Sequence, residues 1–287
     1  MTIPIILSTG SLFTYDIDTI MALAADVGFD GLELMVDWRR ETYQPEHLRK
    51  LMARHGLPIL AVHSPFAKMV IDNWPSNPVD SIKHSVRLAE RLDARTVVAH
   101  PPARWLRLQG VMLTPYQSRK ISIPLPIVGQ GRLGQWLKYE LPAFQATTHI
   151  KIAVENMPCR RLGPLRLNPH YYPSPLELSQ FQYLTLDTTH VGARDMDLLS
   201  FYEQIAPQVA HIHLSNFNGK EHQLPHHGHL PLSELLARLA QKQFDGLISL
   251  ELGPQSLQAG DETQVKQNLR DSLAYCRQAI PAGACAR

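Results

Sequence analysis

Between residues 151 and 251 the chain contains four short apolar runs that end on an acid or an imidazole: KIAVE (151–155), YLTLD (183–187), VAHIH (209–213) and LISLE (247–251). Each is too short for a stable helix and rich in Val, Ile and Leu, which is how a strand buried on both faces reads. If such strands lie side by side and parallel, their C-terminal ends share one rim, and Glu155, Asp187, His213 and Glu251 converge there. Three carboxylates and an imidazole gathered away from water are costly unless a cation neutralises them. The pattern predicts a divalent-metal site.

Working outward, PIILS (4–8), GLELM (31–35), PILAVH (58–63) and TVVAH (96–100) are runs of the same kind, and helical patterns separate the eight runs. Strand and helix alternating from end to end predict an α/β fold, a parallel sheet closed into a (β/α)8 barrel. In such a barrel the chemistry lies at the strand C-termini and in the loops after them. Gly28 and Gly246 each stand between a helix and the next strand, where a left-handed cap is wanted. With 287 residues, 44% of them hydrophobic, and no linker composition, the whole chain (1–287) is expected as one domain with a long rim loop at about 102–134.

The three cysteines, Cys159, Cys276 and Cys285, show no pairing pattern, which suggests a reducing compartment and a cytoplasmic location. No basic segment precedes the first apolar run, and no stretch approaches the ~18 apolar residues of a membrane span, so no membrane partner is expected. Net charge is +2, yet residues 101–170 hold ten Lys/Arg against only Glu140 and Glu155. That local excess attracts anions, or it is a solvated face or an oligomer contact.

Gly129-Gln-Gly-Arg-Leu-Gly134 matches the GxGxxG of dinucleotide-binding folds, and Glu155 follows about 20 residues later, as that fold requires. Against this, Pro124 and Pro126 make the preceding run ISIPLPIV a poor central strand, and the segment interrupts the series of strand–helix units. No GxSxG, P-loop or Cys/His nucleophile pair supports covalent hydrolysis.

The successive strand ends GFDGLEL, AVHSPF, VVAHPP, IAVENMP, TLDTTHVG, HIHLSN and ISLELGP, with the segment His222 to Leu230, resemble those of the xylose isomerase-like TIM barrel superfamily. The resemblance spans nearly the whole chain, and it is the order of the segments together with the Asp-x-x-His of Asp187 and His190 that makes it specific. It implies a sugar isomerase, epimerase or dehydratase, or an endonuclease IV relative. It also implies a metal on Glu155, Asp187, His213 and Glu251, with His190 and one or both glutamates facing substrate.

Independently of the resemblance, oxygen-rich ligation with one imidazole suits Mn²⁺, Mg²⁺ or Co²⁺, while the resemblance to endonuclease IV makes Zn²⁺ on imidazole-rich ligands such as His63 and His100 chemically reasonable. Such a metal acidifies a carbon next to a chelated carbonyl, so a carboxylate can take the proton and an enediolate forms. Glu155 and Glu251 are the candidate proton carriers.

His63 and His100 end the third and fourth strands, where they would hold a second metal, as the equivalent pair helps to do in endonuclease IV, bind substrate hydroxyls, or stand as satisfied polar groups at the barrel mouth. His190 and His222 resemble that enzyme's remaining zinc ligands, but Lys220 stands where an aspartate is required, which argues against a trinuclear cluster, phosphodiester cleavage and a nucleic-acid partner.

His226, His227 and His229 read as a solvated loop. His211 shares its face with His213 one layer deeper and needs a buried partner. Glu33 is expected to reach a substrate hydroxyl or an arginine. Trp38, Phe66, Trp74 and Trp105 follow strands two, three and four and either stack on a sugar ring or serve as packing. Arg104 and Arg107, and Arg160 and Arg161, follow adjacent strands and are expected to converge on a substrate phosphate or carboxylate, or else to pair with acids such as Asp72 or Asp195.

The expected activity is a metal-dependent isomerisation or epimerisation of a small sugar, keto-sugar or sugar phosphate. An endonuclease IV-like zinc phosphodiesterase acting on abasic DNA is the alternative.

Overall fold

A computed structural model of the chain describes residues 3–66, 69, 71–114, 117–126, 129–162 and 165–280, with side chains described for all of these except 105–126, 161, 162 and 165. Its strands are β1 (Ile5–Ser8), β2 (Leu32–Met35), β3 (Ile59–His63), β4 (Thr96–Ala99), β5 (Trp105–Thr114), β6 (Gln117–Pro126), β7 (Lys151–Glu155), β8 (Arg160–Leu162), β9 (Leu165–Leu167), β10 (Leu184–Asp187), β11 (Val209–Leu214) and β12 (Leu247–Leu250). Eight of them close into a barrel in the order β1-β12-β11-β10-β7-β4-β3-β2. Every pairing around the ring is parallel. These eight strands are the eight apolar runs of the sequence.

Helices surround the barrel because their apolar stripes have the strands' outer faces to cover. Asp16, Asn77, Asp197 and Asp261 open four of them, each accepting a hydrogen bond from a backbone N–H of the first turn. Gly28 closes the first helix at φ 96°. Gly246 behaves differently from expectation. Helix Leu232–Gln241 ends at Lys242, and Gln243 takes the left-handed backbone at φ 53°. What demands glycine at 246 is close approach, since a Cβ there would lie 2.3 Å from the Ala210 carbonyl oxygen.

Residues 102–134 are not simply loop. They carry an antiparallel ribbon in which β5 pairs with β6 from Trp105↔Pro126 to Thr114↔Gln117. Prolines are tolerated because a two-stranded ribbon leaves the outer edge of each strand unpaired, and Pro124 and Pro126, two residues apart, share one orientation. Although the helix Gly131–Gln135 follows β6, that strand is outside the parallel sheet, so the GxGxxG lacks the parallel βαβ unit of a dinucleotide fold. A second ribbon, β8 with β9, follows β7.

Cys159 and Cys276 are buried free thiols, and Cys285 lies outside the described residues. No described helix is long and apolar enough to cross a membrane.

Candidate metal centre

Parallel register does what the sequence pattern required. Asp187 and His213 are direct partners on β10 and β11, Glu155 ends the neighbouring β7, and Glu251 is the first residue beyond β12 on the other side. One ligand atom from each of the four lies within 4.8 Å of all the others. His213 Nδ1 is 3.0 Å from Glu251 Oε2, 3.1 Å from Glu155 Oε1 and 3.9 Å from Asp187 Oδ2. Glu155, Asp187 and His213 are buried, and Glu251 keeps 13% of its side chain exposed, so the group has one open side.

Asp187 divides its oxygens. Oδ1 accepts the His190 backbone N–H at 2.8 Å, capping the short helix Thr188–Ala193, while Oδ2 is buried with no hydrogen-bond partner. Glu155 Oε2 is likewise buried and forms no hydrogen bond, although His100 Nε2 is 2.7 Å away. Two orphaned carboxylate oxygens facing an imidazole and a third carboxylate fit a divalent cation. Electrostatics point the same way. Burial, with Glu155 and Glu251 beside it, pushes the Asp187 carboxyl well above the usual range. Burial disfavours charge on His213, but Glu33, Glu251 and Glu155 outweigh it and hold its pKa well above the ordinary value. Burial opposes ionisation of Glu251 too, yet His213 brings its pKa down to about 2.

Below this layer, Glu33 Oε2 accepts from His213 Nε2 at 3.0 Å and sits 2.5 Å from His211 Nε2. All three side chains are fully buried. Glu33 is therefore the buried partner His211 needed, and it does not reach outward to substrate or arginine as expected. Its bond to Nε2 leaves Nδ1 of His213 as the ring atom that faces Glu155 and Glu251. Glu33, His211 and His213 also form a compact group of possible ligands.

His63 Nδ1 donates to the Ser64 carbonyl at 2.8 Å and His190 Nδ1 to the Asn156 carbonyl at 2.9 Å, which leaves both Nε2 atoms as lone-pair donors. His63, His100 and Glu155 form a further cluster of possible ligands, with His63 Nε2 3.9 Å from Glu155 Oε2. His190 lies 3.4 Å from Asp187 Oδ2, and burial, partly opposed by Glu155, lowers its pKa to about 4.

A profile of the xylose isomerase-like TIM barrel family matches residues 21–279. The chain belongs to that family. Uncharacterized proteins of Mycobacterium bovis and Mycobacterium tuberculosis are each 30% identical over 94% of this chain and 95% of theirs. Among solved structures, the 3-keto-D-glucoside 4-epimerase of Escherichia coli superposes at TM-score 0.69 with 16% identity, over 96% of this chain and 100% of that one. An AP endonuclease, family 2, from Brucella melitensis superposes at 0.66 with 16% identity, over 96% and 99%.

Other expected residues of this family member fall in mixed positions. His222 is half-buried, its Nδ1 3.3 Å from the Glu251 carbonyl and its ring 5.8 Å from that of His190. Arg160 is exposed at the start of β8, and its charge is felt at His170 and Glu221. The side chains of Arg107 and Arg161, and that of Trp105, lie outside the described residues. Arg104 stacks on Tyr171 at 4.6 Å, and it is Arg166 that pairs with Asp195. His226, His227 and His229 are exposed, and so is Lys220.

Asn156 and Asn216 were not singled out by sequence reading. Asn156 exchanges two hydrogen bonds with the backbone of Asp187, at 2.8 and 3.0 Å. Asn216 Oδ1 accepts from Phe217 N and Leu230 N while its Nδ2 donates to the Pro225 carbonyl, tying down the loop that carries His222. A polar residue immediately after a strand-end ligand was the only available signal for the first.

Proposed function

We propose that the protein is a divalent-metal-dependent isomerase or epimerase of a small sugar or keto-sugar. The observation that carries this is the convergence of Glu155, Asp187, His213 and Glu251 on one point with two carboxylate oxygens left unpartnered. When bound there, Mn²⁺, Mg²⁺ or Co²⁺ would supply Lewis acidity toward a carbonyl and its neighbouring hydroxyl. Around it the side chains divide the work. Glu155 and Glu251 come from strands that flank the pair carrying Asp187 and His213, so they approach a substrate from two sides. One carboxylate takes the carbon-bound proton, the C–H electron pair becomes the carbon–carbon double bond of an enediolate, and the carbonyl oxygen takes up the charge. Return of the proton to the neighbouring carbon isomerises the sugar, and return to the original carbon from the opposite face epimerises it. Neutral His190, its Nδ1–H held by Asn156, offers Nε2 as acceptor to a substrate hydroxyl.

The structural likeness to a sugar epimerase agrees with this reading. Turnover in deuterated water is expected to place solvent deuterium on carbon in the product, and a Glu251→Gln/Asp187→Asn double variant to lose bound metal and activity together. Product without label under any turnover condition would favour a hydride shift, and full metal occupancy in the double variant would remove the site.

The cluster of His63, His100 and Glu155 favours a second reading, phosphodiester cleavage with two or more metals. Metal analysis separates the two: one equivalent per chain supports sugar chemistry, whereas two or three support the phosphodiesterase.

A further inference from the structure

Beside the ligand cluster, on the β3–β4 side of the barrel mouth, lies a cavity of about 520 Å³. His100 belongs to both, since its Nε2 is 2.7 Å from Glu155 while its ring lines the cavity. None of Glu155, Asp187, His213 and Glu251 lines it, so a substrate that reacts over the carboxylates leaves this space empty unless it carries a further group. The volume falls within the ~300–1,000 Å³ of pockets that enclose whole organic ligands.

The walls specify the chemistry of that group. Phe66, Trp74, Ile82, Pro102 and Leu133 supply apolar surface. Among the polar side chains of the lining, His170 keeps a buried Nδ1 without a partner, while five others are already engaged. Ser64 Oγ donates to Ser85 at 2.9 Å, Ser81 accepts the Trp74 indole N–H at 2.7 Å, and Asn77 caps Val79. Gln130 accepts from Tyr172, and Arg132 is paired with Glu140. Away from His100 and His170, a polar occupant would give up its hydration and find few partners, whereas an apolar one has little hydration to lose. Phe66 packs at 5.0 Å from the His100 ring, so the apolar wall is continuous with the edge of the ligand cluster. The far wall includes Gly129 and Gly131, the glycine motif that the dinucleotide reading left unexplained.

We infer that the cavity is a subsite for an apolar, ring-sized substituent carried by the sugar, so that the substrate is a glycoside or other sugar conjugate and not a free monosaccharide. This rests on the sugar reading of the metal centre.

The test is calorimetric binding of three probes to the Mn²⁺-loaded protein: phenyl β-D-glucopyranoside, methyl β-D-glucopyranoside and benzyl alcohol. The phenyl glycoside should bind at least about tenfold more tightly than the methyl glycoside, or ~1.4 kcal/mol. Leu133→Trp, which fills the cavity, should abolish that advantage and leave methyl glycoside binding unchanged. Ser76→Trp does the same from an exposed position at the rim and is the control should Leu133→Trp not fold. Equal affinity for the two glycosides would overturn the subsite and leave the sugar reading standing. Benzyl alcohol binding with neither glycoside bound would overturn the sugar reading, and with it the sugar-linked occupant. Binding of none of the three would overturn both.

Discussion

Glu33 shows how a single residue sets the chemistry of another. Its carboxylate accepts from His213 at Nε2 and thereby turns Nδ1 toward the cluster of Glu155, Asp187 and Glu251, while His211 holds the carboxylate from below. Burial raises the cost of its charge, but His213 and His211 outweigh that and keep the Glu33 pKa well below the usual value. Loss of such an outer partner lowers metal affinity by about 10- to 100-fold in comparable sites. Glu33→Gln is expected to weaken Mn²⁺ binding by about that much in a titration, with the four ligands still present. An unchanged affinity would make Glu33 a folding residue only. Asp187→Asn probes the other end of the same logic, because asparagine still caps the helix at residue 188 but cannot neutralise a cation. The helix should persist and the metal should leave.

At the scale of elements, the strands aim the ligands and the loops complete the site. Segment 216–230 carries His222 to the mouth, and it is held by the three hydrogen bonds of buried Asn216. Asn216→Ala would leave the Leu230 N–H without its acceptor in a buried setting, where an unmade bond costs roughly 1–3 kcal/mol. The urea midpoint is expected to fall accordingly, and amide exchange to accelerate across 217–230 while the strands β10 and β11 stay protected. Equal loss of protection in the barrel would show that Asn216 serves the global fold instead. The ribbon β5–β6 illustrates the limit of local reading. Its prolines rule out a central strand, which is what made 102–134 look like loop, but they are compatible with a ribbon that has an unpaired edge.

Across the whole molecule, the barrel interior is unusual in holding charge where such barrels are normally filled by branched apolar side chains. Glu33, Glu155, Asp187, His211 and His213 are all buried there. The bare site is thus expected to lower stability, and a bound metal to restore it. At a free concentration a hundredfold above its dissociation constant, a ligand specific for the native state adds ~2.7 kcal/mol. Removing metal with a chelator should lower the melting temperature by roughly 5–10 °C, from ~2–4 °C per kcal/mol at this chain size, and Mn²⁺ should reverse the change. The Glu251→Gln/Asp187→Asn variant should show no metal-dependent shift and should melt near the bare wild-type protein, since the repulsion around Asp187 is relieved while the attraction between Glu251 and His213 is lost. A melting temperature far below it would assign those residues to structure.

Strand identity, parallel barrel topology and the meeting of Glu155, Asp187, His213 and Glu251 were all legible in the amino-acid sequence. Buried strands are short apolar runs, and in a parallel barrel every run ends on the same rim, so the residue closing each run is placed by counting alone. Tertiary structure decided the rest. Glu33 closes against His211 because two residues 178 apart in sequence face each other across the barrel. Asn216 acts through backbone groups up to 14 residues away. The apolar cavity beside His100 is assembled from separate loops after β3 and β4 and from the residues following β6. No periodicity or spacing encodes such contacts, because they depend on how far each loop reaches once the barrel has closed.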